Sequence, residues 1–145
     1  MNKQRGFTLI EILIAVALIA VLGTSVIVLV DPVGQFQKGR DAERKSELSQ
    51  IQTALELYRA DMGAYPAVLP ACDAVFSQGT VTYLRKTPCD PKNTGAYVYT
   101  YRQLSASSYS ITTCLENVRD PKKDAANVAP CAGGTTNWSY TVFNP

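Results

Sequence analysis

A chain of 145 residues with 14 basic and 12 acidic side chains has a formal charge of +2, too small to argue for a nucleic-acid or acidic partner. It has no histidine, so the commonest general base and zinc ligand are missing, and it lacks GxGxxG, P-loop, GxSxG and HExxH patterns. No catalytic residue, metal or cofactor is expected, and nucleic-acid binding is disfavoured.

Residues 1–6, Met-Asn-Lys-Gln-Arg-Gly, form a short basic leader. The run Phe7 to Val30 then holds a single charge, Glu11. As a helix it extends about 36 Å at about 1.5 Å per residue, enough to span a hydrocarbon core. Lys3 and Arg5 precede it and Asp31 follows, which predicts a single pass with the N-terminus in the cytoplasm and the remainder outside. A carboxylate inside such a helix costs about 2.5–3.5 kcal/mol, so Glu11 needs a partner or a function. An ordinary secretory signal has a shorter apolar core and a small-residue cut site, which this segment lacks.

Gly23-Thr24-Ser25, Asp31-Pro32 and Gly34 predict a kink or a locally unwound stretch between Gly23 and Gly34. A second helical half, residues 31–62, follows. Leu48, Ile51, Leu55, Tyr58 and Met62 lie at helical steps and form one apolar stripe, the expected seat for a head domain over 63–145. The preceding KGRDAERKSE segment, Lys38 to Glu47, is charged all round. It reads as a solvated surface on which Asp41 and Lys45 pair. Gly63 ends the helix, and Tyr65-Pro66 turns the chain away.

Cys72, Cys89, Cys114 and Cys131 are spaced by 17, 25 and 17 positions, without the CxxC pairs of metal or redox sites. Beyond a membrane segment they read as two disulfides in an oxidising compartment. Pairing 72–89 with 114–131 is favoured because both loops are short, each worth about 3 kcal/mol in the chain-entropy model. The other pairing weighed joins Cys89 to Cys114 and Cys72 to Cys131. Alternation around Tyr97–Tyr101, Tyr109–Thr113 and Trp138–Phe143 predicts a small antiparallel sheet packed on the stripe, with residues 102–107 as a hairpin link. Asn117 to Asn137 is a long loop that Cys131 ties down. Asp90, Glu116, Asp120 and Asp124 sit in loop or strand-end context and form no acid/base couple.

Gly6-Phe7-Thr8-Leu9-Ile10-Glu11 resembles the processing site of the type IV pilin and type II secretion pseudopilin superfamily. Tyr58-x-x-Asp61-x-Gly63-x-Tyr65-Pro66 is similar to its helix-to-loop junction. Tyr83 to Pro91 with Gly95-x-Tyr97-x-Tyr99 is similar to the segment leading into its sheet. The resemblance covers residues 1–66 well and 83–115 loosely, and lapses beyond Leu115. It implies the α+β pilin fold, a long N-terminal helix packed on an antiparallel sheet. It also implies that a prepilin peptidase cuts after Gly6 and N-methylates Phe7, and that Glu11 pairs with the new amine of a neighbouring subunit. The partners implied are membrane lipid before assembly, like subunits in a helical filament, an inner-membrane assembly platform and its ATPase-driven machinery. The product is an extracellular pilus or a periplasmic pseudopilus. The resemblance further implies calcium in a head loop of major pseudopilins. Asp90 and Asn93 could donate oxygens here, but the segment lacks the dense spacing of a calcium loop, and a turn-forming Asp-Pro is the preferred reading. The alternative function is an uncleaved, membrane-anchored extracytoplasmic binding module that uses the loop 114–131.

Overall fold

Thr8 opens the first helix of the computed structural model, which describes residues 6–131 and 136–145, and only the backbone of 24–30. The leader charges Lys3 and Arg5, and residues 132–135 of the long loop, lie outside the described residues. Thr8 is extended, and its hydroxyl accepts the Glu11 amide at 3.3 Å, capping α1, Leu9–Val30. No proline interrupts this run, and Gly23 is helical within it. The break comes at one residue, Asp31, in the left-handed conformation (φ 45°). Pro32 does not disrupt a helix. It starts one, α2 (Pro32–Met62), at the first position where its missing N–H is not needed. The Asp31 carboxylate accepts the Gly34 amide at 3.2 Å. A Cβ on Gly34 would stand 2.4 Å from that carboxylate, so a larger residue there would push the capping side chain aside.

Two compact units result, one ending at Phe36 and one covering Gln37–Pro145. In the first, the apolar side chains of α1 are exposed on every side, from Leu9 (83 %) to Leu22 (67 %). Among the described residues, no helix is long and apolar enough to cross a membrane.

The second unit is built on α2. Leu48, Ile51, Ala54 and Leu55 bury one face of this helix against Tyr65, Phe76, Tyr109 and Ile111. Met62 does not join them and is 48 % exposed. The helix stops there because Gly63, at φ 79°, donates its amide to the Arg59 carbonyl at 2.8 Å. The chain returns Tyr65 to the core, edge-on to the Tyr109 ring at 4.6 Å.

The sheet has the order β3-β4-β5, with β3 Thr100–Ser105, β4 Ser108–Leu115 and β5 Trp138–Phe143, all antiparallel. Ile111 in the centre faces Tyr101 on one side and Val142 on the other, so these inward positions meet the α2 stripe. The loop before β5 covers its outer edge. Asp124 donates its amide to the Ser139 carbonyl, and the side chains of Asn127 and Asp124 accept the amides of Ser139 and Thr141, each at 2.9 Å.

Two features depart from the sequence reading. The first strand starts at Thr100, not Tyr97, because Gly95 at φ 59° and the Tyr97 amide bound to the Thr94 carbonyl make a turn. It runs on to Ser105, which shortens the expected 102–107 link to a two-residue turn. A second hairpin, β1 Phe76–Gln78 with β2 Val81–Leu84, was not expected; its strands are short, and only Phe76 is buried. It is held by ring contacts among Phe76, Tyr83 and Tyr58 at 5.2–5.3 Å.

Leu55→Ala should destabilise the full chain by about 2–5 kcal/mol, as expected for a fully buried leucine. Urea unfolding in detergent, followed by Trp138 fluorescence, checks this.

Candidate functional site

Two groups of residues carry chemistry, one at the start of α1 and one where α2 meets the head. At the first, Gly6 has open space around it, Phe7 is 78 % exposed, and Glu11 lies in the first helical turn. An acidic side chain there is favoured by the partial positive charge of the helix start. Among the described residues Glu11 makes no ion pair within the chain. The cleavage, methylation and assembly roles of these residues are taken up below.

At the second group, one face of the charged segment of α2 is buried, while Lys38, Glu43 and Ser46 on the rest of it are exposed. Asp41 and Arg44 are buried, and Asp41 pairs with Arg44 at 2.7 Å, not with Lys45. The reason lies in the helical period. Asp41 and Arg44 continue the steps of Leu48, Ile51 and Leu55 toward the N-terminus, so they fall on the face that the head covers. That spacing was the available signal.

Arg44 is fully buried and forks onto Asp90, Nε to Oδ2 at 2.7 Å and Nη2 to Oδ1 at 3.0 Å. Its Nη1 donates to Asp41 and, at 2.9 Å, to Glu116. Glu116 also accepts two bonds of 2.6 Å from Arg40, and Lys92 lies 3.2 Å from it. Asp41 further accepts the backbone amides of Glu116 and Asn117 at 2.9 and 2.8 Å. The Tyr97 ring lies under both Arg44 and Lys92. Next to Arg44, Lys45 reaches Asp120 at 2.5 Å, and Tyr99 donates its hydroxyl to Glu47.

The pairing shifts the ionisation of these groups. The Arg40 hydrogen bond, with help from Arg44 and Lys92, outweighs burial and holds Glu116 down at about 2. Burial works to lower the Arg44 guanidinium, but Asp90, Glu116 and Asp41 together raise it. Burial also works to raise Asp120, but the Lys45 bond leaves it lowered. Glu47 moves the other way, raised by burial despite the Tyr99 bond.

Two disulfides flank this cluster. Cys72–Cys89 closes the base of the β1–β2 hairpin, and Cys114–Cys131 ties the end of β4 to the long loop. Cys72, Asp73 and Cys89 place potential ligand atoms within 4.8 Å of one another, but the two sulfurs are bonded together and offer no thiolate. Nor do Asp90 and Asn93 fit calcium. Both Asp90 oxygens hold Arg44, one also the Lys92 amide, and the Asn93 amide points its nitrogen at Cys72 Sγ.

Arg44→Met should cost about 3–5 kcal/mol, because it removes the cation from buried Asp41 and Asp90, while Glu116 keeps Arg40 and Lys92. Arg40→Met should cost clearly less than Arg44→Met, since Arg40 is partly exposed and Glu116 keeps Arg44 and Lys92. Equal losses in urea unfolding would show that the cluster is not centred on Arg44. Glu116 is depressed when folded, so its contribution is complete above its ordinary value of 4.5 and is lost as pH falls toward about 2. Acid unfolding should steepen in that window, and Glu116→Gln should flatten it.

The family model of the prokaryotic N-terminal methylation motif matches residues 1–27, and that of type II secretion system protein G matches residues 32–115. The type II secretion system core protein G of Pectobacterium carotovorum subsp. carotovorum is 28 % identical over 102 residues, 63 % of this chain and 64 % of the relative. The proteins of the same name from Klebsiella pneumoniae and Pseudomonas aeruginosa are each 29 % identical, over 63 % and 62 % of this chain and 71 % and 69 % of their own. The match thus spans just under two thirds of the Pectobacterium relative. No solved structure matches significantly. Because the protein G model covers more than half of its residues, the chain belongs to the type II secretion system protein G family.

Proposed function

We propose that this chain is a filament subunit of a type II secretion machine, cut after Gly6 by a prepilin peptidase, N-methylated at Phe7 and assembled through α1. The observation that carries the reading is the exposure of apolar side chains on every side of α1 from Leu9 to Leu22. A helix of this kind needs cover from outside its own chain. Before assembly the cover is the lipid of the cytoplasmic membrane, with the N-terminus inside and the head in the periplasm. After assembly it is the α1 helices of like subunits.

Glu11 sets the register. Cutting after Gly6 makes a cation at Phe7, and a buried carboxylate is tolerated when an opposite charge meets it. A subunit that docks one step out of place leaves both charges unpaired, so the ion pair selects one packing. Export from the membrane is the work of an assembly platform with its ATPase. The matched relatives favour a secretion pseudopilus over a surface pilus.

An uncleaved, membrane-anchored binding module uses the same exposed α1, and the mature N-terminus separates the two. Mass spectrometry of the membrane-extracted protein should find a chain starting at methylated Phe7; an intact Met1 would favour the anchor. Glu11→Ala should still insert and be cut while filament yield falls by about tenfold or more, the scale of one lost ion pair of 1.4 kcal/mol or above. Normal filaments from that variant would remove the pairing role.

A further inference from the structure

The cations of α2 occupy the carboxylates that a metal ion in this part of the head would need. Arg40, Arg44 and Lys45 leave one stretch of helix, and with Lys92 they meet Asp41, Asp90, Glu116 and Asp120. Four positive groups thus face four negative ones, and the cluster is neutral without a bound ion. The acceptor oxygens are also taken. Asp120 binds Lys45 Nζ through Oδ2 and the Lys122 amide through Oδ1. Asp124, the next carboxylate along the loop, accepts the Thr141 amide at 2.9 Å and the Thr141 hydroxyl at 2.7 Å. Calcium needs six to eight oxygens free of other donors. To gather them here it would have to displace a lysine or an arginine, leaving a buried cation unpaired.

We propose that Lys45, with Arg40 and Arg44, acts as a built-in counter-ion for the loop after β4, so that this head folds and stays folded without a divalent metal. Asp120 lies beyond Leu115, where the protein G match ends, so the contact belongs to the part of the chain that the family model does not describe. Cys114–Cys131 pins the same loop covalently. Between them, the ammonium and the disulfide fix the segment that carries Asp120 and Asp124 against α2 and β5.

The test is thermal unfolding of the full-length chain in detergent, with excess EDTA and with millimolar calcium chloride. The midpoint should be the same in both, and calorimetric titration with calcium chloride should show no saturable uptake. A resident ion held well above its Kd would separate the two midpoints by several degrees. Either that separation or saturable uptake overturns the proposal. Lys45→Met should lower the midpoint in EDTA, whereas Lys45→Arg should keep it near that of the parent. A Lys45→Met midpoint equal to the parent's, or a Lys45→Arg loss as large as that of Lys45→Met, overturns the counter-ion role. None of these readouts depends on filament assembly, so the outcome is separate from that of the functional reading.

Discussion

Arg44 is the pivot of the head. A guanidinium buried without partners would be prohibitively unfavourable, so its position is stable only while Asp41, Asp90 and Glu116 surround it. Those three carboxylates come from α2, from the loop after the β1–β2 hairpin and from the end of β4. One side chain therefore makes the seating of three segments mutually dependent. An apolar contact would tolerate sliding by a few tenths of an ångström. A forked pair to Asp90 is directional, and it specifies where the loop must lie.

The rest of the head is arranged around that constraint. Below Arg44 the α2 stripe changes from ionic to apolar, and Leu48, Ile51 and Leu55 supply the non-directional burial that offsets chain entropy. The two disulfides lie near the polar end: Cys89 directly precedes Asp90, and Cys114 stands two positions before Glu116. Each cross-link thus limits the freedom of a segment that must present a carboxylate to Arg44. The covered edge of β5 completes the picture, because Asp124 and Asn127 satisfy amides that would otherwise invite another strand.

The first unit follows a different physical logic. The head buries its apolar residues internally, whereas α1 exposes its own from Leu9 to Leu22. Asp31 lets the two helices differ in composition without a long linker. A single left-handed residue ends one helix, and its carboxylate caps the next. Membership of the protein G family and the methylation motif at residues 1–27 agree with this division.

Much of this was legible in the primary structure because it depends on local pattern. The apolar run with its one acid, the stripe on α2, the stop at Gly63 and the α+β class all follow from the order of residue types along a few turns or strands. The charge cluster was harder to see. Asp41 and Arg44 carry the correct helical spacing, but their charge argued for water, and their partners in the head lie 46 to 76 positions away. Likewise, nothing local distinguished Tyr97, which stacks on cations, from Tyr101, which enters a strand. Sequence by itself determined which segments are helical, where they stop and which face is apolar, because these are short-range properties of the backbone and of water. Only the tertiary structure decided which charges are buried and with whom, because the energy of a charge depends on every neighbour that folding brings to it.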